Sequence, residues 1–310
     1  MVNPPIPLVA IVGPTAVGKT ALSLRLAVEC RGEIVNADSR QVYRGMDIGT
    51  GKPTPEEQAQ APHHLLDIVD PDDEFHVALY LELATQAIDD IHRRGGVPFL
   101  VGGTGHYVWA LLEGLKVPQV PPDPTLRASL EEVSREQGGR ERLLKELAAL
   151  DPVAAARVDP KNIRRVIRAI EVSRATGRPF SQVGTKEPPP YRTLVLGLTM
   201  PRDALYRRID TRVDAMVAAG WPDEVRALLA KGYGPHLPSF SSLGYREMAA
   251  FVRGEEGLPE AVARIKTQTH AFARRQYTWF KSADPRIQWL DISATATNDA
   301  REIVREFLAG

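Results

Sequence analysis

Cysteine is almost absent from this chain: Cys30 is the single one in 310 residues. An intrachain disulfide and a cysteine metal cluster are both excluded. Long apolar runs are missing too. No stretch reaches about 18 consecutive apolar residues, so no segment reads as a membrane-spanning helix. Residues 1–7 hold neither a basic segment nor a long apolar core, so no secretory signal is expected and the cytoplasm is the expected compartment. Internal repeats and low-complexity tracts are not found. With 43% hydrophobic and 25% charged residues, the chain has ample material for a packed core.

Net charge is also missing, since 39 Lys and Arg balance 39 Asp and Glu. A zero total argues at first against a polyanionic partner. The distribution argues the other way. Residues 47–90 hold 11 acids and one lysine, a balance of −10, whereas residues 157–178 hold 7 bases and 2 acids, a balance of +5. Residues 264–286 hold 6 bases and 1 acid, again +5. The two basic segments are either solvated helix faces or tracks for a phosphate backbone.

Hydrophobic patterning predicts strands at Leu8–Val12, Glu33–Ala37 and Val97–Val101, with helices at Thr20–Val28 and Phe75–Arg94 between them. Alternating strands and helices imply a parallel sheet with right-handed crossovers. Prolines then crowd at Pro118, Pro121, Pro122 and Pro124, and again at Pro188, Pro189 and Pro190. The stretch between them is helical, at 128–136, 140–150 and 163–176. The expectation is an α/β core of residues 1–117 and 191–310, interrupted by an inserted all-helical domain of residues 118–190. A strand at 193–199, helices at 202–219, 222–231 and 259–281, a strand at 286–290 and a helix at 298–308 complete the reading.

Gly13-Pro14-Thr15-Ala16-Val17-Gly18-Lys19-Thr20 fits the P-loop pattern G-x-x-x-x-G-K-[ST] in the required strand–loop–helix context. Its glycines let backbone N–H groups curl around phosphate oxygens at the positive end of a helix. Lys19 reaches the terminal phosphates and the Thr20 hydroxyl is placed to ligate Mg²⁺. The pattern carries the general expectation of nucleotide binding, ATP included. A nucleotide-hydrolysing P-loop enzyme also places an acid after an apolar strand to hold that metal. The strand 97–101 ends instead in Gly102-Gly103-Thr104, which weakens the ATPase and kinase readings.

Asp38 follows the strand 33–37 directly. Ligands of open parallel sheets sit beyond the strand carboxyl ends, so Asp38 and Lys19 should face one cleft. A carboxylate beside a phosphate site suits a general base; the plain alternative is an Asx turn. The Thr104 hydroxyl either bonds a substrate or sits in an ordinary loop, and its flanking glycines imply a close backbone approach. Arg164 and Arg168, spaced i and i+4, share a helix face with Arg165 beside them. In the last long helix Arg274, Arg275, Tyr277, Trp279 and Lys281 interleave cations with aromatics, a mixture that binds nucleic acid or, for most of the aromatics, packs in a core.

These motifs together resemble the tRNA dimethylallyltransferase (tRNA isopentenyltransferase) family. The resemblance rests on Gly13–Thr20, Asp38-Ser39-x-Gln41-x-Tyr43, Gly45-Met46-Asp47-Ile48-Gly49-Thr50, His64-Leu65-Leu66-Asp67, Gly102-Gly103-Thr104, Ser242-Leu243-Gly244-Tyr245-Arg246 and Arg275-Gln276-x-Thr278-Trp279, in family order from about residue 8 to 290. It implies a P-loop NTPase-like fold and transfer of a dimethylallyl group from dimethylallyl diphosphate to N6 of the adenine 3′ of the anticodon. By the same resemblance the P-loop and Mg²⁺ hold the diphosphate, Asp38 is the general base and Thr104 contacts the target adenine. Asp38, Ser39, Arg40, Gln41, Arg127, Arg164, Arg165, Val166, Ile167, Arg168, Ser241, Ser242, Leu243, Gly244, Tyr245 and Arg246 match regions that meet the tRNA. The helical insertion would clamp the anticodon stem-loop of a monomeric enzyme, with no membrane partner.

One position departs from the pattern. Many members carry an arginine after the threonine of the last long helix, where this chain has His270 after Thr269. Histidine carries no fixed charge, so Arg274 or Arg246 is expected to supply it. No C-terminal zinc motif of the larger relatives is found. Rival readings are transfer to free adenine nucleotides, a small-molecule kinase using Asp38, and an RNA-binding module without catalysis. The basic helical insertion, the missing acid and the intact Lys19, Thr20, Asp38 and Thr104 weigh against them in turn.

Overall fold

The computed structural model describes residues 5–118, 120–292 and 296–310; the first four positions of the N-terminal reading and Gln119 of the proline-rich stretch fall outside these. The chain divides into two compact units, Met1–Leu112 with Pro189–Gly310, and Glu113–Pro188.

The first unit is a six-stranded parallel sheet flanked by helices. In chain order it begins with β1 (Ile6–Val12), α1 (Lys19–Cys30), β2 (Gly32–Asn36), α2 (Pro55–Gln58), β3 (His63–His64), α3 (Val77–Arg93), β4 (Val97–Val101) and α4 (Gly105–Leu112). The second unit supplies α5 (Pro124–Arg135), α6 (Gly139–Leu150), α7 (Pro152–Arg157), α8 (Ile163–Thr176) and α9 (Phe180–Val183). The chain then returns through β5 (Tyr191–Thr199), α10 (Arg202–Ala218), α11 (Trp221–Ala230), a 3-10 turn (Pro238–Ser241), α12 (Tyr245–Val252), α13 (Leu258–Trp279), β6 (Ile287–Asp291) and α14 (Ala296–Ala309). Among the described residues, no helix is long and apolar enough to cross a membrane.

The strand order is β3-β2-β4-β1-β5-β6, with every pairing parallel. β1 lies centrally, with Val9 opposite Phe99 of β4 on one side and Leu194 of β5 on the other. A central parallel strand is covered on both faces, which is why Leu8–Val12 is uninterruptedly apolar and fully buried. Alternate residues serve different cores. Val9 and Ile11 pack with Leu24, Leu196, Ile209 and Trp221, while Leu8, Ala10 and Val12 pack with Tyr80, Ile88, Val108 and Phe280.

This order brings the carboxyl ends of β2, β4 and β1 side by side, and backbone bonds stitch their loops together. Ala37 N donates to Val101 O (2.8 Å), Thr104 N to Ala37 O (3.2 Å) and Gly102 N to Ile11 O (3.2 Å). The phosphate loop, Asp38 and Thr104 are therefore fixed relative to one another by the sheet.

The second unit has its own apolar core, in which Leu130, Leu143, Leu147, Val166, Ile167 and Ile170 meet. Its entering and leaving segments pair with each other, Lys116 N with Thr185 O (2.8 Å) and Glu187 N with Gly114 O (3.0 Å). The unit thus begins five residues before the expected 118 and ends at Pro188, inside the second proline cluster.

Candidate active site

The glycine pattern of the phosphate loop is enforced by backbone geometry. Gly13 and Gly18 have φ of 140° and 111°, and a Cβ on Gly13 would lie 2.5 Å from the Leu198 carbonyl of β5. Lys19 Nζ donates to the carbonyls of Gly13 (3.1 Å) and Pro14 (2.8 Å), so the loop holds its own lysine. Burial pulls that ammonium down to about 8, with the Asp38 charge opposing and Arg212 assisting. The Thr20 hydroxyl faces the same cavity and has no hydrogen-bond partner on the protein among the described residues.

Asp38 makes the Asx turn that the plain reading expected, because its Oδ1 accepts from Arg40 N (2.8 Å). The turn leaves the rest of the half-buried carboxylate facing the cleft, where it lines the same cavity as Lys19. Thr104 is held likewise, its hydroxyl accepting from Ser39 N (3.0 Å) and lying 3.4 Å from Ser39 Oγ.

The close approach implied by the glycines around Thr104 comes from the protein itself. A Cβ on Gly102 would sit 2.2 Å from Ala37 O, one on Gly103 2.1 Å from Gln276 Nε2, and one on Gly105 2.3 Å from Trp279 Cβ. Gln276 of α13 is buried and ties two loops together. Its Oε1 accepts from Thr15 N (2.7 Å) while its Nε2 donates to Gly103 O (3.0 Å).

Residues 45–52 form a third wall. Glu224 of α11 accepts from three successive amides, Asp47 (2.8 Å), Ile48 (2.6 Å) and Gly49 (3.2 Å), and from the Tyr245 hydroxyl (2.7 Å). Buried Lys52 is held between the carboxylates of Asp47 and Asp67. The Thr50 and Gly51 carbonyls then hold Gln41, and Gly51 O also accepts from Arg212 (3.3 Å).

Sequence reasoning missed Arg208 and Arg212, two of the four arginines of α10. A Cβ on Gly18 would lie 3.5 Å from the Arg208 guanidinium, and Arg212 lies 3.4 Å from Thr15 Oγ1. Their i, i+4 spacing puts both on one helix face, the only hint available. Arg208 and Arg212 line the cavity beside the phosphate loop, where Arg274 or Arg246 was expected. Arg274 donates to the Tyr206 hydroxyl (2.7 Å), Arg246 is exposed, and neither lines the two cavities. His270 turns away, stacked on Tyr206 with centroids 4.1 Å apart, its Nε2 at ion-pair distance (2.8 Å) from Asp210 Oδ1 but outside hydrogen-bond geometry.

The residues expected to meet RNA divide by exposure. Arg164, Arg165, Ser241 and Arg246 are exposed, and Arg127 and Arg168 are partly so. Val166 and Ile167 are buried in the core of the second unit, and Tyr245 is fully buried against Glu224 and Trp221. Helical periodicity turns those three inward, so their side chains support the neighbouring residues instead of facing solvent.

Two cavities meet at the strand ends. One, of about 390 Å³, is lined by Thr104, Ile209, Val213 and Trp279. The other, of about 990 Å³, is lined by Gly18, Lys19, Thr20 and Arg208. Asp38, Thr15 and Arg212 line both. No group of three or more His, Cys, Asp or Glu is arranged to hold a metal ion among the described residues.

Fold and cleft together define a P-loop enzyme whose cradle faces a carboxylate at the end of β2, with Gly-Gly-Thr where β4 would otherwise carry a metal-holding acid. The family model for IPP transferase matches residues 41–283, and that for isopentenyl transferase matches residues 6–67. A tRNA dimethylallyltransferase of Roseiflexus sp. (strain RS-1) is 56% identical over 304 residues, covering 98% of this chain and 99% of the relative. Another, from Thermomicrobium roseum, is 52% identical over 287 residues, 93% of this chain and 87% of the relative. The solved tRNA isopentenylpyrophosphate transferase of Bacillus halodurans matches with TM-score 0.71 and 43% identity, over 98% of this chain and 96% of that one. A eukaryotic dimethylallyltransferase, captured acting on tRNA, matches with TM-score 0.82 and 28% identity, over 98% of this chain and 80% of that one. The chain belongs to the tRNA dimethylallyltransferase family.

Proposed function

We propose that this protein transfers the dimethylallyl group of dimethylallyl diphosphate to N6 of the adenine 3′ of the anticodon in tRNA, releasing diphosphate. The carrying observation is that Asp38 lines both the phosphate cavity and the smaller, partly apolar one. One side chain thus borders the place for a diphosphate and the place for an acceptor.

The exocyclic amine of adenine is a poor nucleophile because its lone pair is delocalised into the ring. As N6 forms a bond to the allylic carbon, the bond from that carbon to the diphosphate oxygen breaks. The amine proton becomes acidic and passes to the Asp38 carboxylate. The leaving diphosphate gathers charge, which Lys19, Arg212 and the loop amides meet in a cavity already shaped to receive it. Ile209, Val213 and Met216 offer an apolar wall to the five-carbon tail. Thr104, fixed by Ser39, bonds the adenine. A stacked base cannot enter such a cleft, so the adenine flips out of the RNA loop.

The donor set fits Mg²⁺. Thr20 presents one neutral oxygen to a cavity with room for phosphate oxygens and water, the usual environment of this hard cation. Bound there, the ion would neutralise the departing diphosphate. Arg127, Arg164, Arg165, Arg168, Ser241 and Arg246 contact the RNA, and the unit Glu113–Pro188 grips the anticodon stem-loop. The enzyme acts as a monomer in the cytoplasm.

The test supplies labelled dimethylallyl diphosphate and Mg²⁺ with either an anticodon stem-loop RNA or AMP. Label entering the RNA and not AMP is the expected result. Label entering AMP instead moves the function to free nucleotides, and transfer to neither ends the reading.

A further inference from the structure

Trp279 closes α13 and is 46% exposed, whereas the other large aromatics of the described residues are buried or partly buried. Leaving an indole in water forgoes the strongest burial gain any side chain offers. Yet its root is tightly fixed. The Trp279 carbonyl accepts from Trp109 Nε1 (2.9 Å), and its Cβ occupies the space that only a glycine at 105 leaves open. The indole lines the 390 Å³ cavity with Asp38 and Thr104, and the His106 ring stands 5.9 Å away at a 45° tilt. A flat π-surface held at its base and open on its face, at the mouth of a cleft containing a base-handling carboxylate, is the arrangement that nucleic-acid proteins use for stacking.

We propose that Trp279 is a stacking platform for the RNA base flanking the adenine that is modified, an inference that rests on the RNA reading of the site above. When the target adenine leaves the loop, its neighbour loses one stacking face. Asp38 is half-buried between the two cavities and defines where the target amine must go, whereas the half-exposed indole lies on the solvent side of the same cavity. Trp279 therefore takes the place of the extruded base against the neighbour that stays outside. Stacking on a π-face tolerates any base identity, so the platform contributes to RNA affinity and to the cost of flipping, not to base choice.

The test is a double-mutant cycle between protein and RNA. Wild type, Trp279→Phe and Trp279→Ala are assayed on the normal stem-loop and on two stem-loops with an abasic residue 5′ or 3′ of the target. Trp279→Ala should raise the KM for RNA by about tenfold and leave the KM for dimethylallyl diphosphate within twofold; Trp279→Phe should retain most of the wild-type affinity. One abasic RNA should impair wild type by a similar factor and impair Trp279→Ala no further, which also identifies the flank. Losses that multiply with both abasic RNAs, or an unchanged KM for RNA in Trp279→Ala, overturn the proposal while leaving the transferase reading intact. Wild type that modifies no RNA at all overturns both.

Discussion

At Lys19 the burial of one residue predicts a pH limit on the enzyme. Burial holds its ammonium near 8, below the ordinary lysine value, so in the free enzyme the charge is lost as pH rises through about 8. On the proposed mechanism, donor capture needs that charge. The value of kcat/KM for dimethylallyl diphosphate should therefore fall on the alkaline side with a midpoint near 8, since this parameter reports the free enzyme. A pH–rate profile level through pH 9.5 would contradict this. The glycines beside Thr104 give a second test at this scale. In Gly103→Ala the new methyl meets the flexible end of Gln276, which can move, at the expense of its bonds to Thr15 and Gly103. The variant should melt within a few degrees of wild type yet raise the KM for the diphosphate about tenfold. In Gly102→Ala the methyl meets the backbone of Ala37, which has nowhere to go. Denaturant unfolding should show a loss of ~3 kcal/mol.

At the scale of elements, α8 carries a buried carboxylate whose ion pairs should contribute to acid stability. Glu171 is 1% exposed and accepts from Arg127 Nε (2.9 Å), Arg127 NH2 (2.9 Å), Arg168 and Asp123 N (2.7 Å). Burial alone would raise its carboxyl, but the two guanidiniums and the amide outweigh burial and hold it at about 2. A folded value below the unfolded one means the contribution is full above about 4.5 and is lost as pH falls through about 2. It is worth on the order of 3 kcal/mol. Glu171→Gln should lower the melting temperature at pH 7 and flatten its fall between pH 5 and 2. An unchanged acid limb would contradict the assignment.

The same helix illustrates what the sequence made legible. The apolar runs of β1 and β4 and the amphipathic stripe of α8 were readable because each is long and strongly patterned for its type. α4, Gly-His-Tyr-Val-Trp-Ala-Leu-Leu, was not, since a helix buried on nearly every side has no polar face to reveal its period. β3 is two residues long and α12 eight, too short for a period to show. At the site, Lys19, Thr20, Asp38 and Thr104 were visible through local motif and strand-end position. Gln276, Arg212 and Glu224 were not assigned there, because they meet their partners across 261, 197 and 175 residues of chain, a pairing that only the folded sheet creates.

At the scale of the whole molecule, the proposed function divides the labour between the two units. Each has its own apolar core, and Gly114 and Lys116 pair with Glu187 and Thr185 where the chain enters and leaves the second. Replacing Glu113–Pro188 by a short Gly/Ser linker should leave a folded core that still binds dimethylallyl diphosphate, with the KM for stem-loop RNA raised at least a hundredfold. Loss of donor binding, measured by calorimetry, would contradict that division. The central claim is narrower: Asp38 takes the proton of the attacking amine. Asp38→Asn tests it most directly, because an asparagine Oδ1 still accepts from Arg40 N and preserves the Asx turn while abolishing basicity. Single-turnover transfer to stem-loop RNA should fall by about 10²–10⁴-fold with donor and RNA affinities kept. Transfer within a few-fold of wild type would show that Asp38 is only a turn residue, and the account of the chemistry would fail.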